Sequence, residues 1–179
     1  MLITYFVTLN TLLVLGLNAY VYGLWNLCFF CDISLLLTMM TFYIPHKFRS
    51  EISSLATLLA FLPCIAWTLD YLLLYFNICI FGLANYMFDA KYHIGMRFLS
   101  TFHIWLWIVH IYLLKKYKYN KNSFVNWLVF ITIIYLILNI FTPEYPDNIN
   151  SYKNPIYTCI FIVFNFIIHK LFLKYFCYF

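Results

Sequence analysis

Between Leu2 and Ile44 the chain carries a single formal charge, Asp32. A continuous helix of that length would measure roughly 65 Å, about twice the hydrocarbon thickness of a bilayer. The run must therefore fold back on itself, and Asn18–Gly23 is its most polar place to turn. The pattern predicts a first helix over about residues 2–17 and a second over about 24–44, stopped by Pro45. His46-Lys47-Phe48-Arg49 then reads as a short basic loop. A third helix is expected over about residues 52–76, with Pro63 as its kink.

The segment from Asn77 to Arg97 is mixed. Its first half, Ile78-Cys79-Ile80-Phe81-Gly82-Leu83, is apolar but too short to span, so re-entrant and interfacial readings both stand. A fourth helix is expected over about residues 98–114, followed by the cluster Lys115, Lys116, Lys118 and Lys121. A fifth covers about 124–141, a polar loop about 142–154, and a sixth about 156–177. The apolar runs lack the period-2 alternation of barrel strands, so helices are the expected element.

Composition turns this pattern into a membrane assignment. The chain of 179 residues is 65% apolar and 9% charged. Soluble domains average about 45–50% and about 25%. A soluble fold of this size buries only about 70% of its surface, so the apolar excess must face lipid. In lipid, helices satisfy their own backbone. The expected class is an all-α polytopic membrane protein with about six transmembrane helices in a single domain.

Charge sets the expected orientation. Lys47, Arg49, Lys115, Lys116, Lys118, Lys121, Lys170 and Lys174 fall on one side, against Lys91, Arg97 and Lys153 on the other. The positive-inside rule then places both termini on the cytoplasmic side of a cell membrane. The net charge of +5 is spread over segment ends rather than gathered on one face, which argues against nucleic-acid binding. The N-terminus lacks a basic n-region and reads as a retained membrane helix rather than a signal peptide.

A charge inside a spanning helix costs about 2.5–3.5 kcal/mol on insertion scales, so each one calls for a reason. On the expected helix map Asp32 lies roughly 12 Å below the outer face, Asp70 roughly 9 Å and His103 roughly 8 Å. Three ionisable groups from three helices thus share the outer half of the bilayer. Asp89, His93, Arg97, Glu144 and Asp147 sit above them, as do Asn148 and Asn150. Trp25, Cys28 and Asp32 share a helix face with Cys31 beside them, and Ser100, His103, Trp107 and His110 form a second stripe. The plainer reading is that Asp32, Asp70 and His103 pair with one another or with Arg97 to hold helices together. His110, near the cytoplasmic end, reads as a snorkelling or interfacial residue.

Several chemistries use such groups. A Cys beside an imidazole becomes a nucleophile, so Cys31 with His103, oriented by Asp32 or Asp70, suggests acyl transfer from a membrane lipid. Cys28-x-x-Cys31 has dithiol spacing, which suggests a membrane thiol oxidoreductase instead. Asp32, Asp70, Asp89, His93 and His103 include enough N/O ligands for Zn²⁺, but no dense metal motif is present, and no metal or cofactor is expected. A small transporter or a subunit of a membrane complex is the non-enzymatic alternative, with membrane lipids and a homo-oligomeric partner as the expected neighbours.

Leu27-Cys28-Phe29-Phe30-Cys31-Asp32-Ile33-Ser34-Leu35 resembles the second-helix motif of the YwaF-type integral membrane proteins. Met87-Phe88-Asp89, followed by Arg97-Phe98-Leu99-Ser100-Thr101-Phe102-His103-Ile104-Trp105, resembles that group's acidic loop and aromatic-flanked helix His. Asn148-Ile149-Asn150 before Asn154-Pro155 resembles its Asn-rich outer loop. The same signatures are similar to those of uncharacterised bacterial multi-pass membrane proteins. Some relatives of the YwaF type are lipid acyltransferases with an essential Cys and His. The resemblance therefore implies Cys31 as the acyl-accepting nucleophile and His103 as its general base. The family usually carries a His just before its second-helix Cys, where this chain has Leu27 and Phe29-Phe30.

Overall fold

The computed structural model describes residues 1–23, 27, 29–141 and 155–177. Among these residues every regular element is helical: α1 (Leu2–Tyr22), α2 (Phe30–Tyr43), α3 (His46–Leu74), a 3-10 turn (Asn85–Met87), α4 (Ile94–Ser100), α5 (Phe102–Tyr117), α6 (Ser123–Phe141) and α7 (Pro155–Phe172), the last running on into a π turn (Leu173–Cys177). Four stretches are long and apolar enough to cross a membrane: Leu2–Val21, His46–Leu74, Ile94–Tyr117 and Cys159–Cys177. A further apolar helix, Phe30–Tyr43, is shorter, and α6 is apolar along Ser123–Ile134. The chain is a polytopic helical membrane protein.

The hub is α3, which packs against α2, α5, α6 and α7, while α1 lies on α2 and α4. Small and hydroxylic side chains allow the close approach. Ser53, Ser54, Ala56, Thr57, Ala60 and Cys64 are all buried along α3, as are Ser34, Thr38 and Thr41 along α2. Their hydroxyls return to backbone carbonyls of their own or the neighbouring helix: Thr38 to Ser34, Thr57 to Ser53 and Ser34 to Ala56, each at 2.7 Å. Such interfaces are the rule where lipid supplies no hydrophobic drive between helices.

Helix boundaries depart from the sequence expectation in four places: the fourth helix expected over about 98–114 is the pair α4 and α5, which begins at Ile94 and breaks at Thr101, and three more follow. First, α1 continues to Tyr22 instead of turning at Asn18. The Asn18 side chain reaches across to Asp32, Nδ2 to Oδ1 at 3.2 Å, so its polarity serves a helix contact rather than a turn. The chain leaves α1 at Gly23, whose φ of 83° and ψ of 168° suit a residue without Cβ. Second, α2 begins at Phe30, not near residue 24, so Cys31 and Asp32 occupy its first turn rather than its interior. Third, residues 46–49 are the start of α3 and not a loop. Pro45 is the N-cap of α3, where its missing N–H costs little, and Arg49 Nε donates to the Ile44 carbonyl at 3.0 Å.

These lengths set the start of α2 short of the end of α3. The 14 residues of α2 span about 21 Å, against about 44 Å for the 29 residues of α3. Antiparallel register between α1 and α2 is set by Asn18–Asp32 at one end and by the Thr8 and Tyr43 hydroxyls, 2.7 Å apart, at the other. Past the start of α2, α3 continues for ten residues beyond Cys64, roughly 15 Å. The segment 77–93 is neither a spanning helix nor a hairpin; it folds over the end of α3 and is held there by Asp70.

Candidate active site

Three helix positions converge at the head of α2. Cys31 lies in the first turn of α2, Cys64 follows Pro63 in α3, and His103 is the second residue of α5. Both sulfurs and a ring nitrogen of His103 lie within 4.8 Å of one another. Cys64 is fully buried, and the Cys31 thiol lies beside both Cys64 and His103. The floor beneath them is apolar, built from Val14, Leu35, Ala60, Phe102 and Leu106.

The imidazole is held from three sides. Trp67 stacks on it with ring centroids 4.7 Å apart and planes 18° apart, and Phe102 stacks at 4.1 Å. His103 Nδ1 lies 2.8 Å from the Ser100 carbonyl oxygen. A carbonyl only accepts, so Nδ1 carries the proton and the other ring nitrogen keeps the lone pair. This is the arrangement by which proteins fix the tautomer of a basic or metal-ligating His. Asp32, 4% exposed, lies within electrostatic reach of Cys31 and His103, and Asn18 holds one of its oxygens. A thiol, a base with a fixed tautomer and a nearby carboxylate are the parts of a nucleophilic centre.

The same atoms can hold a metal ion. Two sulfurs and one imidazole nitrogen form a donor set that suits Zn²⁺ or Cu⁺. Cys31, Cys64 and His103 would be the ligands.

The remaining expected site residues divide. Asp70 does not join the cluster. Its Oδ1 accepts from the backbone N–H groups of Ile80, Phe81 and Gly82 at 3.2, 3.0 and 3.3 Å, and its Oδ2 from Ala84 at 2.9 Å. Gly82, at φ 71°, gives the chain the curvature that lets these amides point inward. The expected orienting role of Asp70 is thus replaced by the Ser100 carbonyl, and its carboxylate organises the loop. Asp89 caps its own turn, Oδ1 accepting from Lys91 N–H at 2.9 Å. His93 is the N-cap of α4, with Nδ1 accepting from Gly95 N–H at 3.1 Å. Arg97 donates from Nη1 to the Met87 carbonyl at 3.0 Å, bracing the same loop from beneath. The Ser100 hydroxyl donates to Met96, so its backbone is the part that touches His103. Trp25, Cys28, Glu144, Asp147, Asn148 and Asn150 lie outside the described residues, and with them the Cys28/Cys31 pairing.

Two features were missed in the sequence. Cys64 reads there as one more small residue on the stripe that includes Ala56 and Ala60; the one signal is its spacing of four from Ala60 on the face that packs α2. His110 is not a snorkelling residue but wholly buried. Its Nε2 lies 3.2 Å from Ser34 Oγ and 3.1 Å from Thr38 Oγ1. Both hydroxyl protons already go to carbonyls, so both oxygens accept from a protonated Nε2. His110 therefore has the opposite tautomer to His103 and no free base to offer at Nε2. It ties α5 to α2.

No protein-family model matches the chain, and no curated protein or solved structure is detectably similar to it.

Proposed function

We propose that this chain is a membrane acyltransferase in which Cys31 is the nucleophile and His103 the general base. The observation that carries the reading is the bond between His103 Nδ1 and the Ser100 carbonyl, which leaves the other ring nitrogen its lone pair in an imidazole that lies beside the Cys31 thiol. A lipid ester of the surrounding cell membrane is the natural acyl donor, because the site lies among helices long and apolar enough to span a membrane. His103 takes the thiol proton as Cys31 sulfur bonds to the ester carbonyl carbon. The ester C–O bond breaks, and the proton passes to the departing alkoxide, giving a thioester and a lysolipid. In the second half His103 takes a proton from an acceptor hydroxyl or water that attacks the thioester, and the thiol is restored. Asp32 supplies compensating negative charge while His103 holds the proton.

A second reading rests on Cys64. Its sulfur has no part in this scheme, yet it completes a three-donor set with Cys31 and His103. The alternative is a metal-binding membrane protein, a small transporter or a complex subunit. One experiment separates the two. Purified wild type, Cys31→Ser and His103→Ala are incubated with phosphatidylglycerol carrying a labelled acyl chain, with folded yield and metal content measured in parallel. Transfer predicts a hydroxylamine-sensitive label on wild type that is absent from both folded variants. Stoichiometric metal with no label on any protein would overturn the acyl-transfer reading and establish the metal centre.

A further inference from the structure

A groove of about 510 Å³ runs between the outer end of α1 and the start of α4, lined by Leu17, Tyr20, Val21, Lys91, Tyr92, His93, Gly95 and Met96. It lies beside the candidate active site. Asn18, next to Leu17 on α1, holds Asp32, and Met96 on α4 is one turn from Ser100, whose carbonyl holds His103. The two ends of the groove differ in chemistry. Leu17, Val21 and Met96 offer an aliphatic trough, with Tyr20 and Tyr92 as amphipathic rims. Lys91 and His93 offer cationic or hydrogen-bonding heads on the loop side, and among the described residues no acid lines the groove. Asp89, two residues before Lys91, is turned onto its own backbone. His93 spends Nδ1 on Gly95, which leaves its Nε2 for an outside partner.

We infer that this groove binds an anionic glycerophospholipid, with an acyl chain along Leu17, Val21 and Met96 and the phosphate at Lys91 and His93. This rests on the acyl-transfer reading for its purpose, since it names the donor, but not for its geometry. A trough of apolar side chains ending in basic groups at the level of a membrane surface matches one chain plus a phosphate. A neutral hydrocarbon would leave Lys91 and His93 without a use, and a soluble anion would leave the trough without one. Basic residues near a membrane surface draw anionic lipid by about five-fold each.

The test uses the full chain in nanodiscs containing equal phosphatidylglycerol and phosphatidylcholine, released into detergent, with retained phospholipid read by native mass spectrometry. Wild type is expected to retain phosphatidylglycerol preferentially. Lys91→Glu should lower that preference at least five-fold, and Leu17→Trp with Val21→Trp, which fill the trough from exposed positions, should remove retention of both lipids. Cys31→Ser should retain lipid as wild type does. Equal retention across wild type, Lys91→Glu and the tryptophan variant would overturn the groove assignment. Failure of the catalytic reading looks different: no thioester forms at Cys31, while the groove variants still lose lipid.

Discussion

His103 Nδ1 and the Ser100 carbonyl oxygen are 2.8 Å apart across the break between α4 and α5, and this bond decides which imidazole nitrogen is basic. The break itself is Thr101, whose amide bonds to Phe98 and whose carbonyl accepts from Ile104, so the chain steps without losing direction. Ser100 thus sits one turn before His103 with its carbonyl in reach of the ring.

The first prediction follows from that bond. If the imidazole is the base for Cys31, then His103→Ala should slow alkylation of Cys31 by a lipophilic maleimide by about 100-fold, the lower end of what a positioned base contributes. The rate would be measured with every cysteine other than Cys31 replaced. An unchanged rate in a folded variant would show that Cys31 gains nothing from His103.

Helices that end in charge or polar clusters were readable from sequence. The bounds of α6, the start of α7 and the end of its π turn are expected within a residue or so, because Lys121-Asn122-Ser123 and the polar run from Thr142 leave little choice. The start of α2 was not readable, because Asn18 looks the same whether it ends a helix or bonds across to Asp32. Cys31 and His103 were legible as ionisable or nucleophilic groups at one depth. Cys64 was not, since a cysteine in an apolar helix is indistinguishable from a small hydrophobe until its neighbour is known. The role of Ser100 lies in its backbone, which no side-chain pattern reports. Asp70 was found for the right reason, a charge that needs partners, but those partners are loop amides from residues 80–84 that no spacing rule connects to it.

Asp70 furnishes the second prediction. Asp70→Asn keeps one carbonyl oxygen but loses the acceptor shared by Ala84 or the one shared by Ile80, Phe81 and Gly82. Amide exchange at these four residues should accelerate about ten-fold, equivalent to about 1.4 kcal/mol, within the range for orphaning a buried polar group. Alkylation of Cys31 should stay within about two-fold of wild type, since loop order and not proton transfer is affected. A hundred-fold loss at Cys31 with a protected loop would return Asp70 to the active site.

Asn18 and Asp32 furnish the third. Their bond joins α1 to α2 at the level of the site. Asn18→Ala should lower stability by about 1 kcal/mol, between the average of about 0.6 for hydrogen bonds in membrane proteins and the higher values for charged acceptors. Asn18→Ala and Asp32→Asn should be non-additive in reversible unfolding, because they share one interaction. Additive effects would mean that the contact contributes nothing to the pairing of the helices.

The fourth concerns His110 and tests its tautomer. Ser34 and Thr38 each donate their hydroxyl proton to a carbonyl, at 2.7 Å in both cases, and lend only a lone pair to His110 Nε2–H. His110→Phe therefore orphans no donor: both hydroxyls keep their carbonyl partners, and the stability loss should stay near about 1 kcal/mol or below. Ser34→Ala combined with Thr38→Val does the reverse. It leaves a buried imidazole N–H with no acceptor and should cost about 1–3 kcal/mol. Adding His110→Phe to that pair removes the orphan and should recover much of the loss, a coupling of opposite sign to simple accumulation of damage. The measurement is reversible unfolding of the three variants in one detergent. If His110→Phe is instead the most damaging of the three, the ring is an acceptor at Nε2 and the proton sits on Nδ1, against the assignment made from the two hydroxyls.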